Sequence, residues 1–296
     1  MSITQLGALF LLGAIWGASY IFIRVAVEPF GPVFLMFARV ALTAPILVGY
    51  ARLRGVDLMI RAHWRQFLVL GFLGSALPFS LIGWAELTVS GSMAAILTSA
   101  TPLFTTLVAV PGLGQRLTAY KLIGAVLGII GVSIVVGGNP ATLDVPFLLA
   151  ALALLGAAFS YALGGVYAKR SFYGVNNLSM SSGQLIAAAL ILAPVSLFDL
   201  PQEIPPSEAI LALLALVLVC TAFAYQLYYY LIISAGPIQA LTVTLLVPVF
   251  GVIWGALWLQ ESISPGMLLG LLIVLFSVGL VTGMVSPRRR LVEKNP

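Results

Sequence analysis

Residues 90–111 read SGSMAAILTSATPLFTTLVAVP and residues 238–259 read IQALTVTLLVPVFGVIWGALWL, and neither stretch contains a charged side chain. A bilayer core about 30 Å thick is crossed by roughly 20 apolar residues in a helix. Each stretch is therefore long and apolar enough to span a membrane. Both also carry a proline near the middle, at Pro102 and Pro248, with a phenylalanine two residues later.

The same character extends along the whole chain of 296 residues, which is 61% hydrophobic and only 8% charged. An average soluble domain has about 25% charged residues, so this composition excludes a soluble fold. Windows of about 19 residues indicate ten membrane-spanning helices and leave no room for a separate soluble domain. The fold class predicted is an all-α polytopic membrane protein. The predicted spans are 4–24, 32–53, 65–85, 90–111, 119–138, 146–168, 177–198, 208–232, 238–259 and 265–285.

An internal repeat connects the two quoted stretches. A shift by 146 positions aligns them without a gap and lays residues 102–104 (PLF) on residues 248–250 (PVF). The chain is therefore predicted to contain two repeats of five helices. Because five is an odd number, the second repeat should be inverted relative to the first, which is the plan of many secondary transporters. The predicted repeats cover 1–140 and 141–287, and a basic cytoplasmic tail follows at 288–296.

The basic residues predict the orientation of the helices. With the N-terminus placed inside, 12 of the 14 lysines and arginines fall on the inner side, and Arg24 and Arg39 are the exceptions. Positively charged connections tend to stay in the cytoplasm. We therefore expect a multi-pass protein of the bacterial inner membrane with both termini cytoplasmic. The acidic side chains of the predicted outer connections are Glu28, Glu86, Asp144, Asp199, Glu203, Glu208 and Glu261.

Short motifs accompany this plan: WGASY at 16–20, the Pro-x-Phe of the fourth and ninth spans, and LQES at 259–262 before a glycine-rich last helix. Together with ten spans in two halves, they resemble the drug/metabolite transporter superfamily, in particular the EamA-type exporters and the YddG-like amino-acid exporters among them. The resemblance implies the ten-helix fold and the transport of small solutes such as amino acids. One position departs from it, because the acidic residue expected before the fifth helix is Gln115 and an acid is present only at its repeat mate, Glu261.

Pro102 and Pro248 are predicted to kink the fourth and ninth helices. Each proline removes one backbone hydrogen bond and frees the carbonyl group four residues earlier, which belongs to Thr98 or Thr244. One interpretation is that these carbonyl groups face a binding cavity at mid-membrane. In the other, each threonine hydroxyl bonds to the carbonyl group four residues before it, and the kink has only a structural role.

Aromatic and polar side chains recur at helical spacing on several spans. Tyrosine and glutamine need hydrogen-bond partners inside a membrane, so their helix faces should point inward rather than toward lipid. For any single residue the alternative is a contact between packed helices. As a set, they suit a cavity for a solute with both apolar and polar parts. The candidate substrate-binding residues are Trp16, Tyr20, Arg39, Thr98, Tyr161, Gln184, Tyr225, Tyr229 and Thr244.

Arg39 is the charged residue that lies deepest in a predicted span, about 10 Å from the outer end of the second helix. A charge placed there costs at least about 2.5 kcal/mol, which makes it a functional candidate. A carboxylate on the substrate would be its natural partner. The alternatives are that the side chain reaches out to the lipid headgroups or pairs with backbone carbonyl groups.

The expected partners are a small-molecule substrate and the lipid bilayer, and no nucleic acid. Repeated Gly-x-x-x-Gly motifs, such as that of Gly13 and Gly17, allow close helix packing and also suit a homodimer interface. A single cysteine, Cys220, excludes an internal disulfide framework. A single His63 without cysteine partners excludes the usual zinc patterns, so no cofactor or metal is expected.

The predicted function is export of small solutes by alternating access, with amino acids, including aromatic or bulky ones, as the expected substrates. Movement should be facilitative, because no Asp, Glu or His lies inside a predicted span to carry a proton. Efflux of organic cations or multiple drugs is the alternative, although it usually relies on a carboxylate within the membrane. An enzyme is the alternative from another class, but hydrolytic motifs such as His-Glu-x-x-His are absent from the sequence.

Overall fold

The computed structural model describes residues 1–114, 118–137 and 144–284, and every regular element in these ranges is a helix. Nine of the described helices have at least 18 residues and enough apolar character to cross a membrane, and a tenth, shorter apolar helix ends the described chain. The predicted fold class is confirmed. Gln115, the predicted boundary at residue 140 and the tail at 288–296 lie outside the described ranges. The helices are α1 (Ile3–Phe30), α2 (Pro32–Leu53), α3 (Ile60–Glu86), α4 (Gly91–Leu113), α5 (Ala119–Gly137), α6 (Val145–Ser171), α7 (Asn177–Ser196), α8 (Ser207–Ala235), α9 (Gln239–Trp258) and α10 (Pro265–Val281).

Short connections make successive helices run in opposite directions across the membrane. We call the face where α1 begins the amino-terminal face, and the other the distal face. The predicted end of the first helix at Arg24 is wrong, because α1 continues to Phe30. The arginine is tolerated inside α1 because its guanidinium donates a hydrogen bond to the backbone carbonyl of Glu86, at the end of α3.

The turn between α1 and α2 is a single residue on the distal face. Gly31 has a φ of +78°, which favours glycine, and a Cβ there would lie 2.6 Å from Oδ1 of Asp199. The space is occupied because the carboxylate of Asp199 accepts hydrogen bonds from the backbone N–H groups of Val33 (2.7 Å) and Phe34 (3.3 Å) at the start of α2. A negative charge is stabilised at the start of a helix, where the N–H groups are unpaired.

The helices pack in pairs that are consistent with the predicted repeat. Helix α1 packs against α8 and α9, while α6 packs against α3 and α4. Three further pairs are α2 with α7, α4 with α9 and α5 with α10. When every helix number is shifted by five, so that α1 becomes α6 and α8 becomes α3, each of these pairs becomes itself or another of these pairs. The packing supports two equivalent halves, and their inversion stays a prediction.

Glycines bring α1 and α9 into close contact. A Cβ on Gly13 would lie 2.6 Å from Cβ of Leu246, and one on Gly17 would lie 2.8 Å from the backbone nitrogen of Gly251. Both contacts are too short for a side chain, so the predicted packing role of this Gly-x-x-x-Gly motif is confirmed.

Helices α3 and α8 each contain a wider π-helical turn, at Phe72–Ala76 and Leu218–Phe223 respectively. In α3 the N–H of Leu77 bonds to the carbonyl group of Phe72, five residues earlier instead of four. The two π turns begin 146 residues apart, which is the shift found in the sequence. Such turns are frequent at functional sites.

The breaks in α4 and α9 differ from those predicted. Helix α4 is interrupted at residues 99–100, and Pro102 is the second residue of its following segment, Thr101–Leu113. Helix α9 is interrupted at Thr242, whereas Pro248 lies inside the continuous segment Val243–Trp258. The helix is not interrupted at Pro248, because a helix buried among others can lose one hydrogen bond without breaking, and the kink predicted there stays a prediction.

Candidate functional site

A cavity of about 390 Å³ lies among eight of the ten helices. Its volume falls within the range of roughly 300–1,000 Å³ for small-molecule sites. Eight of the nine candidate residues line it, together with Pro102: Trp16, Tyr20, Arg39, Thr98, Tyr161, Gln184, Tyr225 and Thr244. Tyr229 does not line the cavity, and its ring is stacked on that of Tyr225 with 6.1 Å between centroids. It lies one helical turn beyond the lining residue Tyr225, and its role in binding substrate stays a prediction.

Arg39 is buried and directed into the cavity rather than out to the headgroups. Its Nε donates a hydrogen bond of 3.0 Å to Oγ1 of Thr221. Its guanidinium carbon lies 4.4 Å from the centroid of the Phe79 ring, within the range of a cation–π contact. Within the described residues, the two terminal nitrogens of the guanidinium have no hydrogen-bond partner. The arrangement holds the charge in place and leaves its two outer donors for a ligand.

The π turn of α8 positions Thr221. The hydroxyl group of Thr221 donates a hydrogen bond of 2.7 Å to the carbonyl group of Leu216, five residues earlier. Its oxygen can therefore accept from Arg39 while its proton is already used. The threonine is fixed by its own helix and fixes the arginine in turn.

A matching contact exists on the π turn of α3. Nε2 of Gln184, on α7, donates to Oγ of Ser75 at 2.8 Å and to the carbonyl group of Gly74 at 3.0 Å. Ser75 and Thr221 are 146 residues apart and so occupy equivalent positions in the two halves. Each half thus presents a hydroxyl group from a π turn to a donor on the neighbouring helix, but only one of the two donors is charged.

Tyr20 connects α1 to α4 through Thr98. The Tyr20 hydroxyl lies 2.6 Å from Oγ1 of Thr98, which also donates to the carbonyl group of Ala94 at 2.7 Å. Since the threonine proton is used in that second bond, the tyrosine is the donor in the first. The freed carbonyl group of Thr98 accepts from Oγ1 of Thr101 at 2.7 Å. The hydroxyl bond of the structural alternative is therefore present at Thr98, while a role of this carbonyl group in binding substrate stays a prediction.

Thr244, its repeat mate, behaves differently. Its hydroxyl donates to the carbonyl group of Leu241 at 2.8 Å, and not to that of Ala240 four residues earlier. The interruption of α9 at Thr242 has changed the helical register there. The equivalent positions of the two halves therefore differ in local geometry.

Charge is distributed unevenly around the cavity. Among the residues that line it, Arg39 is the only charged one, and none is Asp or Glu. The polar lining otherwise consists of hydroxyl, amide, indole and thiol groups. The site therefore favours a ligand with an anionic group and disfavours a cation.

Two glutamates that the sequence places at helix ends, Glu86 and Glu261, lie on the distal side. Glu86 is fully buried one turn beyond the lining residue Ile82, and neither carboxylate oxygen has a partner within the described chain. Glu261 accepts hydrogen bonds from the backbone N–H groups of Gly91 (2.8 Å) and Ser92 (3.0 Å), and from the Ser92 hydroxyl. The carboxylate of Glu261 therefore caps the start of α4.

The comparisons with known proteins agree with this architecture. Residues 5–137 and 148–283 match the EamA-like transporter family. The chain is 28% identical over 284 residues to the uncharacterized inner membrane transporter YedA of Escherichia coli K12, covering 93% of this chain and 90% of YedA. It is 22% identical to the uncharacterized transporter YoaV of Bacillus subtilis, covering 93% and 95% of the two chains.

Two further similarities extend over nearly the whole chain. A protein of Streptantibioticus cattleyicolor named "Probable terminal-alkyne amino-acid exporter" is 24% identical, covering 96% of this chain and 95% of its own. One crystal structure superposes with a TM-score of 0.69 at 18% identity, covering 96% of this chain and 98% of its own, which shows a shared fold. The two matched ranges cover most of the described helices and the residues that line the cavity. The chain therefore belongs to the EamA-like transporter family.

Proposed function

We propose that this membrane transporter exports amino acids, including aromatic or bulky ones, from the cytoplasm by alternating access between its two halves. The observation that carries the proposal is Arg39 in the cavity, with two guanidinium nitrogens that have no partner among the residues the structure describes. A guanidinium binds a carboxylate through two parallel hydrogen bonds. An α-carboxylate is the group that all amino acids share.

The surrounding lining supports a substrate that also has an apolar part. Trp16, Tyr20, Tyr161 and Tyr225 provide aromatic faces with polar edges, which suit an amphipathic solute. The S. cattleyicolor relative carries the name of an amino-acid exporter, which is consistent with this substrate class. The relatives described as inner membrane transporters support the same location for this protein.

Efflux of organic cations is the second candidate that the sequence left open. A cationic drug would meet the Arg39 charge and no carboxylate among the lining residues. Sites for cations inside membranes generally contain an acid. The described cavity therefore favours amino acids over cations.

The test is uptake into proteoliposomes of radiolabelled L-tryptophan, L-phenylalanine and L-alanine, compared with tetraphenylphosphonium and glucose. Wild-type protein should take up amino acids. Arg39→Gln should lower that uptake at least about tenfold, since a hydrogen bond to a charged group contributes roughly 1.5–3 kcal/mol. Arg54→Gln, which removes an exposed arginine at the end of α2, is the matched control and should have no effect. Uptake of tetraphenylphosphonium without amino acids would contradict the proposal.

We further propose that movement is facilitative, because no acid or histidine lines the cavity. The same liposomes with an imposed pH gradient test this point. Substrate concentrated above equilibrium, and released by a protonophore, would contradict it. Glu86→Gln would then be the next variant to test, because the carboxylate of Glu86 has no hydrogen-bond partner in the described chain. The carboxylate of Glu261, in contrast, already accepts hydrogen bonds from Gly91 and Ser92.

A further inference from the structure

The cavity has a polar end and an apolar end. At the polar end, the Arg39 guanidinium stacks on the ring of Phe79, whose centroid lies 6.4 Å from that of Tyr161. Beyond Tyr161 the lining of α6 continues toward the amino-terminal face with Gly165 and Ala168, about 6 Å and 10 Å further along the helix axis. We call this second part the apolar compartment. Its lining residues are Leu70, Gly74, Gly164, Gly165, Ala168 and Met180.

These six residues belong together because three helices meet at their centre. A Cβ on Gly164 would lie 3.3 Å from the backbone nitrogen of Gly74, so α6 touches α3 at this point. A Cβ on Gly74 would lie 2.8 Å from Nε2 of Gln184, so α3 touches α7 at the same level. Leu70, Ala168 and Met180 lie about one helical turn nearer the amino-terminal face, and Gly165 directly follows Gly164. None of the six side chains carries a charge or a hydrogen-bonding group, and the amide nitrogen of Gln184, which lies at the same level, already donates to Ser75 and to the carbonyl group of Gly74.

Gly165 differs from its neighbour Gly164 in one respect. A Cβ on Gly165 would meet no atom within 4 Å, although the residue lies inside α6 and lines the cavity. Its φ is not positive, so the backbone does not require glycine there. Glycine inside a helix costs about 0.5–1 kcal/mol relative to alanine. Neither packing nor backbone geometry requires glycine there, and the open space beside it lies in the cavity, where a ligand can occupy it.

We propose that the apolar compartment holds the side chain of the transported amino acid and that Gly165 sets the largest side chain accepted. The proposal rests on the proposed function, since it places the α-carboxylate at Arg39. The apolar compartment begins about one helical turn along α6 from Tyr161, which lies at the same end of the cavity as Arg39. An aromatic side chain spans that distance, and the methyl group of alanine does not.

The experiment is a graded series, Gly165→Ala and Gly165→Leu, in proteoliposomes loaded for counterflow with L-alanine, L-leucine, L-phenylalanine or L-tryptophan. The ratio of tryptophan to alanine uptake should fall about two- to threefold in the first variant and at least tenfold in the second. A second readout is the rise in melting temperature of the detergent-purified protein on adding L-tryptophan, which should shrink in the same order.

Gly49→Leu is the matched control, because Gly49 is also a helical glycine with no atom within 4 Å of its Cβ, but it lies on α2 outside the cavity. This variant should keep the wild-type ratio. An unchanged ratio of tryptophan to alanine uptake in Gly165→Leu would overturn this inference and leave the proposed function standing. An equal loss of uptake of all four substrates in folded protein would do the same. If Gly165→Leu does not fold, the uptake ratio of Gly165→Ala decides the test, since a Cβ at residue 165 would meet no atom within 4 Å. If wild-type protein takes up no amino acid at all, the proposed function fails and the inference with it.

Discussion

Arg39 carries a full positive charge about 10 Å from the start of α2. Burial of that charge costs at least about 2.5 kcal/mol. The contact with the Phe79 ring returns about 0.5–2 kcal/mol, and the hydrogen bond to Thr221 adds to it. Two donors of the guanidinium stay unused in the described structure, so an anionic ligand would complete the set. The arginine is therefore better satisfied with substrate than without it.

Tyr225 gives a prediction at the same scale. Its hydroxyl has no hydrogen bond within the described residues, and its side chain lines the cavity. Tyr225→Phe should raise the half-saturating substrate concentration about two- to tenfold, which corresponds to one neutral hydrogen bond of roughly 0.5–1.5 kcal/mol. Melting temperature should stay at the wild-type value, because no protein contact is lost. Uptake kinetics in proteoliposomes measure the first quantity and thermal unfolding in detergent the second.

Tyr229→Phe serves as the control for this experiment, since Tyr229 stacks on Tyr225 from outside the cavity. Its kinetics should match those of wild type. Equal effects of the two substitutions would show that the cavity extends one turn further along α8 than the structure places it.

Sequence reasoning found most of the lining for a physical reason. Polar side chains in hydrocarbon must have partners, so their positions report the inner faces of helices. That argument cannot tell where along a face the cavity ends, which is why it included Tyr229. It also cannot separate Gly165 from the many glycines that permit packing, because an empty space leaves no pattern in the sequence. Phe79 gave no signal for a similar reason, as one apolar residue among many.

At the scale of helices, the two π turns decide where side chains point. An extra residue in one turn rotates the rest of the helix by about 100°, because an α-helix has 3.6 residues per turn. In α8, this rotation lies between Leu216 and Tyr225 and brings Thr221 opposite Arg39. Residue propensities do not encode a π turn, so only the structure could show it. The sequence repeat predicts that a structural feature of one half recurs in the other. The π turns do recur at equivalent positions of the two halves.

The interruption of α4 leads to a prediction about conformational exchange. Pro102 cannot donate to the carbonyl group of Thr98, and the helix breaks just before it. Pro102→Ala would supply the missing N–H and favour a straight α4 by about 1 kcal/mol, or about fivefold in population. We expect a higher melting temperature and about fivefold slower transport. Both are measured on the same purified protein.

Pro248→Ala is the comparison, because α9 is continuous at that residue. Its effect on transport should be clearly smaller than that of Pro102→Ala. Full transport activity in Pro102→Ala would mean that the break in α4 has only a packing role.

The helix ends show what hydropathy can and cannot predict. Apolar length fixed the number and order of the spans, because backbone groups inside a bilayer must bond within a helix. Apolar length did not predict the end of α1 correctly, because the charge of Arg24 was interpreted as the end of the helix. The structure continues the helix because a carbonyl group on α3 accepts from that arginine. Such a partner is distant in sequence, so no local window contains it.

At the scale of the whole molecule, the two faces differ in how the predicted repeats are joined. On the distal face, the carboxylates of Asp199 and Glu261, both in the second repeat, accept from N–H groups that start α2 and α4 in the first. On the amino-terminal face, a described contact between the predicted repeats joins two neutral groups. Nε2 of Gln5 donates to the carbonyl group of Ser234 at 2.8 Å. Hydrogen bonds to an ionised group are roughly twice as strong as neutral ones.

The assignment of these faces to the cytoplasm and the outside can be tested with two exposed positions. Tyr173, between α6 and α7, is 97% exposed on the amino-terminal face, and Ile204, between α7 and α8, is 92% exposed on the distal face. In a Cys220→Ala background, an impermeant thiol reagent added to intact cells should label Ile204→Cys and not Tyr173→Cys. Permeabilised cells should label both. The reverse pattern in intact cells would overturn the predicted orientation.

The charged contacts of Asp199 and Glu261 on the distal face affect the side from which the carrier binds substrate. A carrier that spends most of its time closed at one face offers its site mainly at the other. Its apparent dissociation constant equals the intrinsic one divided by the fraction of molecules open to that side. With Glu261 and Asp199 favouring distal closure, half-saturation should need less substrate at the amino-terminal face than at the distal face. The final distribution of substrate is unchanged, because a facilitative carrier alters rates and not equilibria. With the predicted orientation, the carrier would saturate at a lower substrate concentration on the cytoplasmic side than on the outside, while the ratio of maximal rate to half-saturating concentration stays equal in the two directions.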